Sequence, residues 1–214
     1  HGMFITFMPK PTIGDWRSGA HINFSLTSTA NNKNIFEGKN GKFSDAAYHA
    51  VGGLIKHGSE ITAVACSTVN SYNGLVPVVG GFEGGVHTWA PTQMAYGDNN
   101  RSCMLRLPQN RFCIENRAAD MCMNPYLSLA LTTAASIDGI KNKIDPGKPL
   151  NVNLYTLSPE EIKASKIKSL PRNLLEAIEK LQHDDFAKEV LGESMLNQFF
   201  AYKMDEWDRY HQAV

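Results

Sequence analysis

The sequence predicts an α+β domain in which a small sheet comes first and helices complete the chain. Three observations support this fold class. Short runs with strand-like alternation occupy the first half, amphipathic helical patterns fill the second half, and glycine-rich loops lie between the strands. The 214 residues, 43% of them hydrophobic and 20% charged, are sufficient to bury a core.

Two strands are predicted near the N-terminus. Residues 3–8 are an apolar run followed by two prolines, and we expect a buried strand there. The second strand alternates polar and apolar side chains, with His21, Asn23 and Ser25 on one face and Ile22, Phe24 and Leu26 on the other. Lysine, glutamate or threonine would suit a solvated face, so this polar row is a candidate ligand-binding surface.

The middle of the chain is predicted to contain one long helix followed by a loop. Ser44 and Asp45 are suited to cap a helix that runs to about Val64. Residues 70–97 are rich in glycine and proline, and we expect a loop there. Loops of this composition often carry function.

Two short strands and several helices follow this loop. We expect strands at 102–107 and 111–117, joined by a tight turn. A helix is predicted to begin at Pro125 and to end near Gly139, because proline suits the first helical turn and glycine suits the end. From Ser158 onward, three or more amphipathic helices are predicted to complete the chain.

Charge and composition exclude several classes of protein. The 21 basic and 21 acidic residues cancel, which argues against a general nucleic-acid binder or a protein of anionic membrane surfaces. No apolar run reaches the ~20 residues needed to cross a bilayer, and no basic-then-apolar leader is present. The four cysteines form no C-x-x-C pair, so we expect free thiols and a cytoplasmic location. Because the chain opens directly in an apolar run, we expect it to begin inside a longer protein.

A cluster of charged residues lies on the two predicted short strands. Arg101 lies just before the first of them and Arg106 within it, and Glu115 and Arg117 share a face of the second with Cys113. Two interpretations are open: exposed ion pairs, which are common and weakly stabilising, or a floor that binds anions. The apolar surroundings favour the second, because a carboxylate in a buried strand needs a metal or an arginine to offset its desolvation.

The second interpretation leads to a chemistry. Glu115 and His21 would be two ligands of a divalent cation, and mixed oxygen and nitrogen ligands suit Mg²⁺ or Mn²⁺ better than structural zinc. Arg101 and Arg106 would then face phosphate oxygens. A metal, a carboxylate and arginines on a sheet are the minimum set for phosphoryl transfer from ATP. The motif G-x-x-x-x-G-K-[ST] is absent, so this would not be a P-loop enzyme.

Six short motifs occur in an order and spacing that resemble one known family. They are TFMPKP, SGAHINFSL, NSY followed by LVP, NNRS followed by an arginine, IENR, and NPYLSLAL followed by ASIDGIKNKIDPG. Together they resemble the C-terminal catalytic domain of the glutamine synthetase family over almost the whole chain. The segments TWAPTQMAYGDNNRS and SLPRNLLEAIEKLQ are more similar to the γ-glutamylmethylamide synthetases and related γ-glutamyl-amine ligases.

The resemblance implies roles for seven residues. His21 and Glu115 match ligands of an active-site divalent ion, and Asn23 and Ser25 lie where the family contacts the nucleotide. Arg101 and Arg106 match arginines that bind ATP phosphates and stabilise the transferred phosphoryl group. Arg117 matches the arginine that binds glutamate or γ-glutamyl phosphate. A histidine is more usual in the family at position 23.

The resemblance also implies the fold and the reaction. The fold would be a mostly antiparallel sheet that forms the active-site floor, with flanking helices and a helical C-terminal part, as in guanido kinases. Glutamate would attack ATP to give γ-glutamyl phosphate, and ammonia, methylamine or a bulkier amine would displace phosphate to form a γ-glutamyl amide. The cofactors would be ATP and Mg²⁺ or Mn²⁺. The full-length parent would be a homo-oligomer, a dodecamer of two hexameric rings.

The resemblance further implies that residues 1–214 form only part of the enzyme. The N-terminal β-grasp domain and the remaining metal-binding glutamates would lie upstream, so this fragment alone would be inactive. An alternative is a glutamine synthetase relative that has lost catalysis and has a structural or binding role.

Two departures from the family pattern concern the acid substrate. Asn73 and Gly74 stand where the family usually has Lys-Arg, whose arginine contacts the glutamate carboxylate, so this contact is missing. Trp16 and Arg17 stand where Asn-Gly is common, and Arg17 is a candidate replacement for the lost charge.

Two further regions carry candidate residues. In the glycine-rich loop, Glu83 is a candidate for the flap glutamate of the ammonia-using synthetases, and His87 is a candidate for a substrate contact. Tyr155 lies in the region where some bacterial synthetases are adenylylated, and a packing role is the alternative.

Overall fold

The computed structural model of the chain describes residues 1–12, 16–75 and 90–213. Within these ranges the strands are β1 (Ile22–Phe24), β2 (Tyr96–Asp98), β3 (Leu105–Leu107) and β4 (Ile114–Asn116). The helices are α1 (Asp45–Lys56), α2 (Gly58–Ala65), α3 (Val69–Tyr72), α4 (Pro125–Lys141), α5 (Pro159–Ala164), α6 (Leu174–Gln182), α7 (Asp185–Leu191) and α8 (Glu193–Gln212). The α+β fold class predicted from the sequence is confirmed.

The four strands form one sheet in the order β1-β4-β3-β2. The β1–β4 and β3–β4 pairs are antiparallel and the β2–β3 pair is parallel, so the sheet is mostly antiparallel, as expected. The register sets one row across the sheet: Asn23 opposite Glu115, Glu115 opposite Arg106, and Arg106 opposite Gly97. Because directly opposed residues share a face, polar side chains of three strands meet on this face, which we call the front.

The back of the sheet packs on the helices. Ile22, Leu105 and Ile114 are buried, and they belong to the same core cluster as Val51 and Leu54 of α1. The polar residues at 21, 23 and 25 are exposed on the front. This is the alternation predicted for this strand, and the buried apolar half anchors the polar row to the core.

The predicted long helix is instead two helices. Ser44 caps α1 as expected, because its hydroxyl accepts a hydrogen bond from the amide of Ala47 at 3.2 Å. The first helix ends before His57, and α2 begins at Gly58. A Cβ at Gly58 would lie 2.7 Å from the sulfur of Met94, so a larger residue at this turn would require the side chain of Met94 to shift.

Two glycines allow α1 and α4 to cross with their backbones in contact. A Cβ at Gly53 would lie 2.0 Å from the carbonyl oxygen of Ala135, and a Cβ at Gly139 would lie 2.1 Å from that of His49. Neither glycine can carry a side chain without separating the helices. Gly139 therefore lies inside the crossing, and α4 continues to Lys141 instead of ending at the glycine as predicted.

The apolar residues at the N-terminus do not form the expected buried strand. Residues 3–8 form no strand pairing with the described part of the chain, and Phe4 is 95% exposed. A strand requires hydrogen-bonding partners for its backbone, and composition alone does not supply them. The prediction of a buried strand is wrong for this structure.

The strands after the glycine-rich loop are shorter than the sequence suggested. β3 and β4 each contain three residues, within the predicted ranges 102–107 and 111–117. β2 overlaps the end of the stretch 70–97 that was predicted as loop and extends one residue beyond it. Strands of three residues leave too little alternation to be detected in a sequence.

The C-terminal part is helical, as predicted. The buried side of α6 consists of four apolar residues with helical spacing, namely Leu174, Ala177, Ile178 and Leu181. All four cysteines are free thiols, which confirms that prediction. In the described part of the chain, no helix is both long and apolar enough to cross a bilayer.

Candidate active site

One carboxylate on the front of the sheet is shared by three neighbouring side chains. Oε2 of Glu115 accepts a hydrogen bond from Nη1 of Arg106 at 2.6 Å. Its Oε1 lies 3.1 Å from Nη1 of Arg117 and 3.1 Å from Nδ1 of His21. The structure therefore brings together four of the residues that the sequence indicated for metal, phosphate and acid binding.

This carboxylate is buried and ionised. The side chain of Glu115 is 5% exposed, so the interpretation as an exposed ion pair is wrong. Burial alone raises the pKa of the Glu115 carboxyl. The hydrogen bonds from His21 and Arg106 and the charges of Arg117 and Arg106 outweigh burial and lower this pKa to about 2. Because two guanidinium groups face one carboxylate, the cluster keeps an excess of positive charge.

The strand register explains how these side chains meet. Glu115 on β4 lies directly opposite Arg106 on β3. Arg117 follows Glu115 by two residues and therefore returns to the same face. His21 precedes β1 by one residue, and Asn23 of that strand lies opposite Glu115.

Asn99 orients Arg106, and the sequence analysis missed it. Its Oδ1 accepts hydrogen bonds from Nε of Arg106, at 2.9 Å, and from Nη2. Since Nη1 of Arg106 contacts Glu115, the guanidinium is held from two sides. Asn99 has a φ of 55°, which asparagine adopts more readily than most residues. The feature that could have indicated Asn99 is its position directly after β2, but this strand was not predicted from the sequence.

Arg101 borders a cavity beside this cluster. Its carbonyl oxygen accepts a hydrogen bond from Nε of Arg117 at 3.0 Å. Arg101 is exposed, and it lines an open cavity of about 570 Å³ whose other lining residues are Asp98, Asn99, Asn100, Gln109, Asn151, Val152 and Asn153. The structure thus connects Arg101 to the cluster through its main chain and places it at the edge of a polar cavity.

The candidate nucleotide contacts of the first strand lie on the exposed part of the same face. Asn23 and Ser25 are both exposed. Oδ1 of Asn23 accepts a hydrogen bond from Nη2 of Arg111 at 2.8 Å, and Nε of Arg111 donates to the sulfur of Cys113 at 3.2 Å. Arg111 was not among the predicted site residues, although its spacing of two from Cys113 and four from Glu115 places it on the same face.

His21 and Glu115 fit part of a divalent-cation site. An ionised carboxylate and an imidazole nitrogen lie 3.1 Å apart, and the side chain of His21 is 36% exposed. This donor set suits Mg²⁺ or Mn²⁺. In residues 1–12, 16–75 and 90–213, no group of three His, Cys, Asp or Glu side chains could hold a metal.

The whole chain matches one protein family. The family model described as glutamine synthetase, catalytic domain, matches residues 1–214. The chain belongs to this family. It is 42% identical over 218 residues to a glutamine synthetase from Methanosarcina mazei, covering 100% of this chain and 46% of that protein. It is 41% identical over 217 residues to a glutamate–methylamine ligase from Methyloversatilis universalis, covering 100% of this chain and 47% of that protein.

Solved structures give the same result for the fold. A structure described as a GmaS/ADP complex is similar with a TM-score of 0.85 at 36% identity, over 98% of this chain and 46% of that one. This likeness confirms the expected glutamine synthetase catalytic-domain fold. The chain spans just under half the length of the relatives it matches.

Two departures from the glutamine synthetase pattern are in contact. A Cβ at Gly74 would lie 2.4 Å from Cδ of Arg17 and 2.7 Å from its Cγ. Nη2 of Arg17 reaches three acceptors: Oδ2 of Asp120 at 3.0 Å, the carbonyl oxygen of Ala118 at 3.0 Å and the sulfur of Cys66 at 3.3 Å. Asp120 therefore offsets the charge of Arg17, and the replacement of a substrate-binding cation by Arg17 stays a prediction.

The remaining candidates have different outcomes. Glu83 and His87 lie outside the described residues. Tyr155 is buried, and its hydroxyl donates a hydrogen bond to the carbonyl oxygen of Ala90 at 2.6 Å. This contact favours the packing role of Tyr155.

Proposed function

We propose that the full-length protein is an ATP-dependent carboxylate–amine ligase of the glutamine synthetase type. Glutamate takes the γ-phosphoryl group of ATP to give γ-glutamyl phosphate, and an amine then displaces phosphate to form a γ-glutamyl amide. The main support is the buried Glu115 carboxylate, which Arg106, Arg117 and His21 share. In this proposal residues 1–214 are the C-terminal catalytic domain, and a β-grasp domain lies upstream of them in the full-length protein. Residues 1–214 alone are therefore proposed to be inactive.

Arg106 is suited to hold the transferred phosphoryl group. Glu115 and Asn99 fix its guanidinium, which stays charged at any physiological pH. A cation that is already in place stabilises the charge developing on phosphoryl oxygens without reorganising during the reaction. Arg101, exposed at the neighbouring polar cavity, supplies a second guanidinium for the phosphates of ATP.

Arg117 is suited to bind the acid substrate or its acyl phosphate. Its Nη1 contacts Glu115 and its Nε donates to the carbonyl oxygen of Arg101, so the guanidinium plane is fixed. A fixed guanidinium binds a carboxylate or phosphate with defined geometry. Because Glu115 contacts both Arg106 and Arg117, it keeps the phosphate-binding and acid-binding groups side by side, which brings the reacting groups together.

Mg²⁺ or Mn²⁺ is the proposed metal, held in part by His21 and Glu115. When bound, such an ion adds positive charge at the phosphate oxygens. The pKa of Glu115, about 2, keeps this carboxylate ionised and available as a ligand over the physiological pH range. The remaining ligands are proposed to come from the part of the protein upstream of this chain.

The proposed amine is methylamine or a bulkier amine, with ammonia as the comparison. A glutamate–methylamine ligase shares 41% identity with this chain, and a glutamine synthetase shares 42%, so methylamine and ammonia should be compared in one experiment.

The proposed assembly is a dodecamer of two hexameric rings. The alternative is a relative without catalysis, and one observation favours it: Arg17 fills the space of the side chain that is missing at Gly74.

The test measures amine-dependent release of ADP by the full-length protein with glutamate, ATP and Mg²⁺. Ammonia, methylamine and larger primary amines are compared, and we expect turnover with at least one of them. No turnover with any amine, combined with no ATP-dependent thermal shift, would refute the ligase and favour the inactive relative.

Two substitutions test the proposed metal ligands. His21→Ala and Glu115→Ala should each abolish metal-dependent turnover, because each removes one ligand of the ion. His183→Ala is the matched control, since His183 is exposed at the end of α6, and it should retain activity. Survival of activity in both site variants would contradict the metal assignment.

A further inference from the structure

Arg111 lies on the exposed part of the front of the sheet, beside the row that the register aligns. It is exposed, and its guanidinium reaches from the bend just before β4 to the neighbouring strand β1. Its Nη2 donates to Oδ1 of Asn23 at 2.8 Å, and its Nε donates to the sulfur of Cys113 at 3.2 Å. An exposed arginine is thus held in one place by an amide oxygen and a sulfur atom.

Arg111 differs from Arg106 and Arg117 on this face because it has no described carboxylate as an ion-pair partner. Arg106 and Arg117 both pair with the carboxylate of Glu115. Among the described residues, no carboxylate lies within ion-pairing distance of Arg111. Arg111 therefore has no direct ion-pair partner among the described residues, and its Nη1 donates to no described acceptor. A guanidinium in this state is suited to a phosphate oxygen.

The contact with Arg111 also defines what Asn23 can do. The side-chain oxygen of Asn23 accepts the hydrogen bond from Arg111, and its Nδ2 donates only a long one, 3.4 Å, to the carbonyl oxygen of His21. Both polar atoms of the amide thus have partners within the protein. The geometry favours Asn23 as a support for Arg111 over a direct ligand contact.

We propose that Arg111 binds a phosphate group of the nucleotide and that Asn23 is a positioning residue that acts through it. This inference rests on the proposed function, which places the nucleotide on this face. It adds a guanidinium to those of Arg101 and Arg106, on the β1 side of Glu115.

The experiment measures the affinity of the full-length protein for ADP with Mg²⁺ by calorimetry. Arg111→Ala should weaken binding about 10- to 100-fold, the range for loss of a charged hydrogen bond, and Arg111→Lys should weaken it less. Binding of adenosine, which has no phosphate, should be unchanged in Arg111→Ala. Arg172→Ala is the matched control, because Arg172 is exposed and its side chain has no described partner.

The positioning role of Asn23 is tested by a double-mutant cycle. Asn23→Ala should weaken ADP binding several-fold in the wild-type background and have almost no effect when Arg111 is already alanine. A merely structural role for Asn23 would give the same loss in both backgrounds. Thermal unfolding without nucleotide checks that each variant is folded.

The outcomes separate this inference from the proposed function. If the wild type binds neither ADP nor ATP, the proposed function fails and the inference fails with it. If the wild type binds ADP and Arg111→Ala binds it equally well, only the inference is overturned. An equal loss of adenosine and ADP affinity in Arg111→Ala would also overturn it, because phosphate would then not be the group recognised.

Discussion

The aliphatic part of Arg17 occupies the space over Gly74, and its charged end is buried against Asp120. Any side chain at position 74 would overlap Cδ, Cγ and Cβ of Arg17 in this conformation. The two departures from the family pattern at these positions are therefore one coupled structural change.

A first prediction concerns this overlap. Gly74→Ala should destabilise the protein by about 1–3 kcal/mol, the usual cost of overpacking, because Arg17 cannot move aside without leaving Asp120. Urea unfolding of both proteins measures the difference. In an Arg17→Ala background the same substitution should cost much less, and equal costs in both backgrounds would show that Arg17 is not the obstacle.

A second prediction concerns the buried ion pair. The side chains of Arg17 and Asp120 are 4% and 0% exposed, so Asp120→Ala leaves a buried charge without its partner. We expect a loss of about 3–5 kcal/mol of unfolding free energy. The double variant Arg17→Met/Asp120→Leu removes both charges and should recover a large part of this loss. A double variant as unstable as the sum of the two single variants would argue against a coupled pair.

A third prediction concerns pH. Folding lowers the pKa of the Glu115 carboxyl from its ordinary value of 4.5 to about 2, so folding favours the ionised form. The resulting stabilisation, about 3 kcal/mol, is present above about pH 5 and is lost as the pH falls from about 4.5 towards 2. Glu115→Gln lacks this contribution.

Urea unfolding of the wild type and Glu115→Gln in metal-free buffer tests it. The difference in unfolding free energy between the two proteins should stay constant from neutral pH to about pH 5 and then shrink as the pH is lowered towards 3. A difference that does not change with pH would mean that the carboxylate gains nothing from its arginine partners.

A fourth prediction concerns Asn99 as a positioning residue for Arg106. Asn99→Gly tolerates the φ of 55° and removes the acceptor of two hydrogen bonds from Arg106. We expect turnover of the full-length protein to fall about 10- to 100-fold, with little change in thermal unfolding. Asn32→Gly is the control, because Asn32 has a similar φ of 57° and its amide donates to the carbonyl oxygen of Ser28, which is not a proposed site residue. Equal activity of both variants would contradict the role of Asn99.

The parts of the site that the sequence revealed depend on local spacing. Glu115 and Arg117 are two residues apart on one strand, so alternation alone places them together. The row of the first strand was recognisable for the same reason. Its position opposite Glu115 depends on strand pairing, which the register shows. The resemblance implied only that His21 and Glu115 hold the same ion.

The parts that the sequence did not reveal depend on tertiary contacts. Arg17 and Asp120 are 103 residues apart, and nothing local indicates that they meet. Asn99 was missed because β2 is only three residues long and lies in a stretch of loop-like composition. Residues 3–8 have the composition of a strand, but composition does not show which backbone would pair with them.

The crossing of α1 and α4 at Gly53 and Gly139 limits how this domain can move. Where backbones touch at this distance, a slide by one residue would drive a Cβ into a carbonyl oxygen, so the two helices cannot shear past each other. Any rearrangement of this domain must therefore leave the α1–α4 crossing intact. The α1–α4 pair is therefore a suitable reference for superposing different structures of this domain.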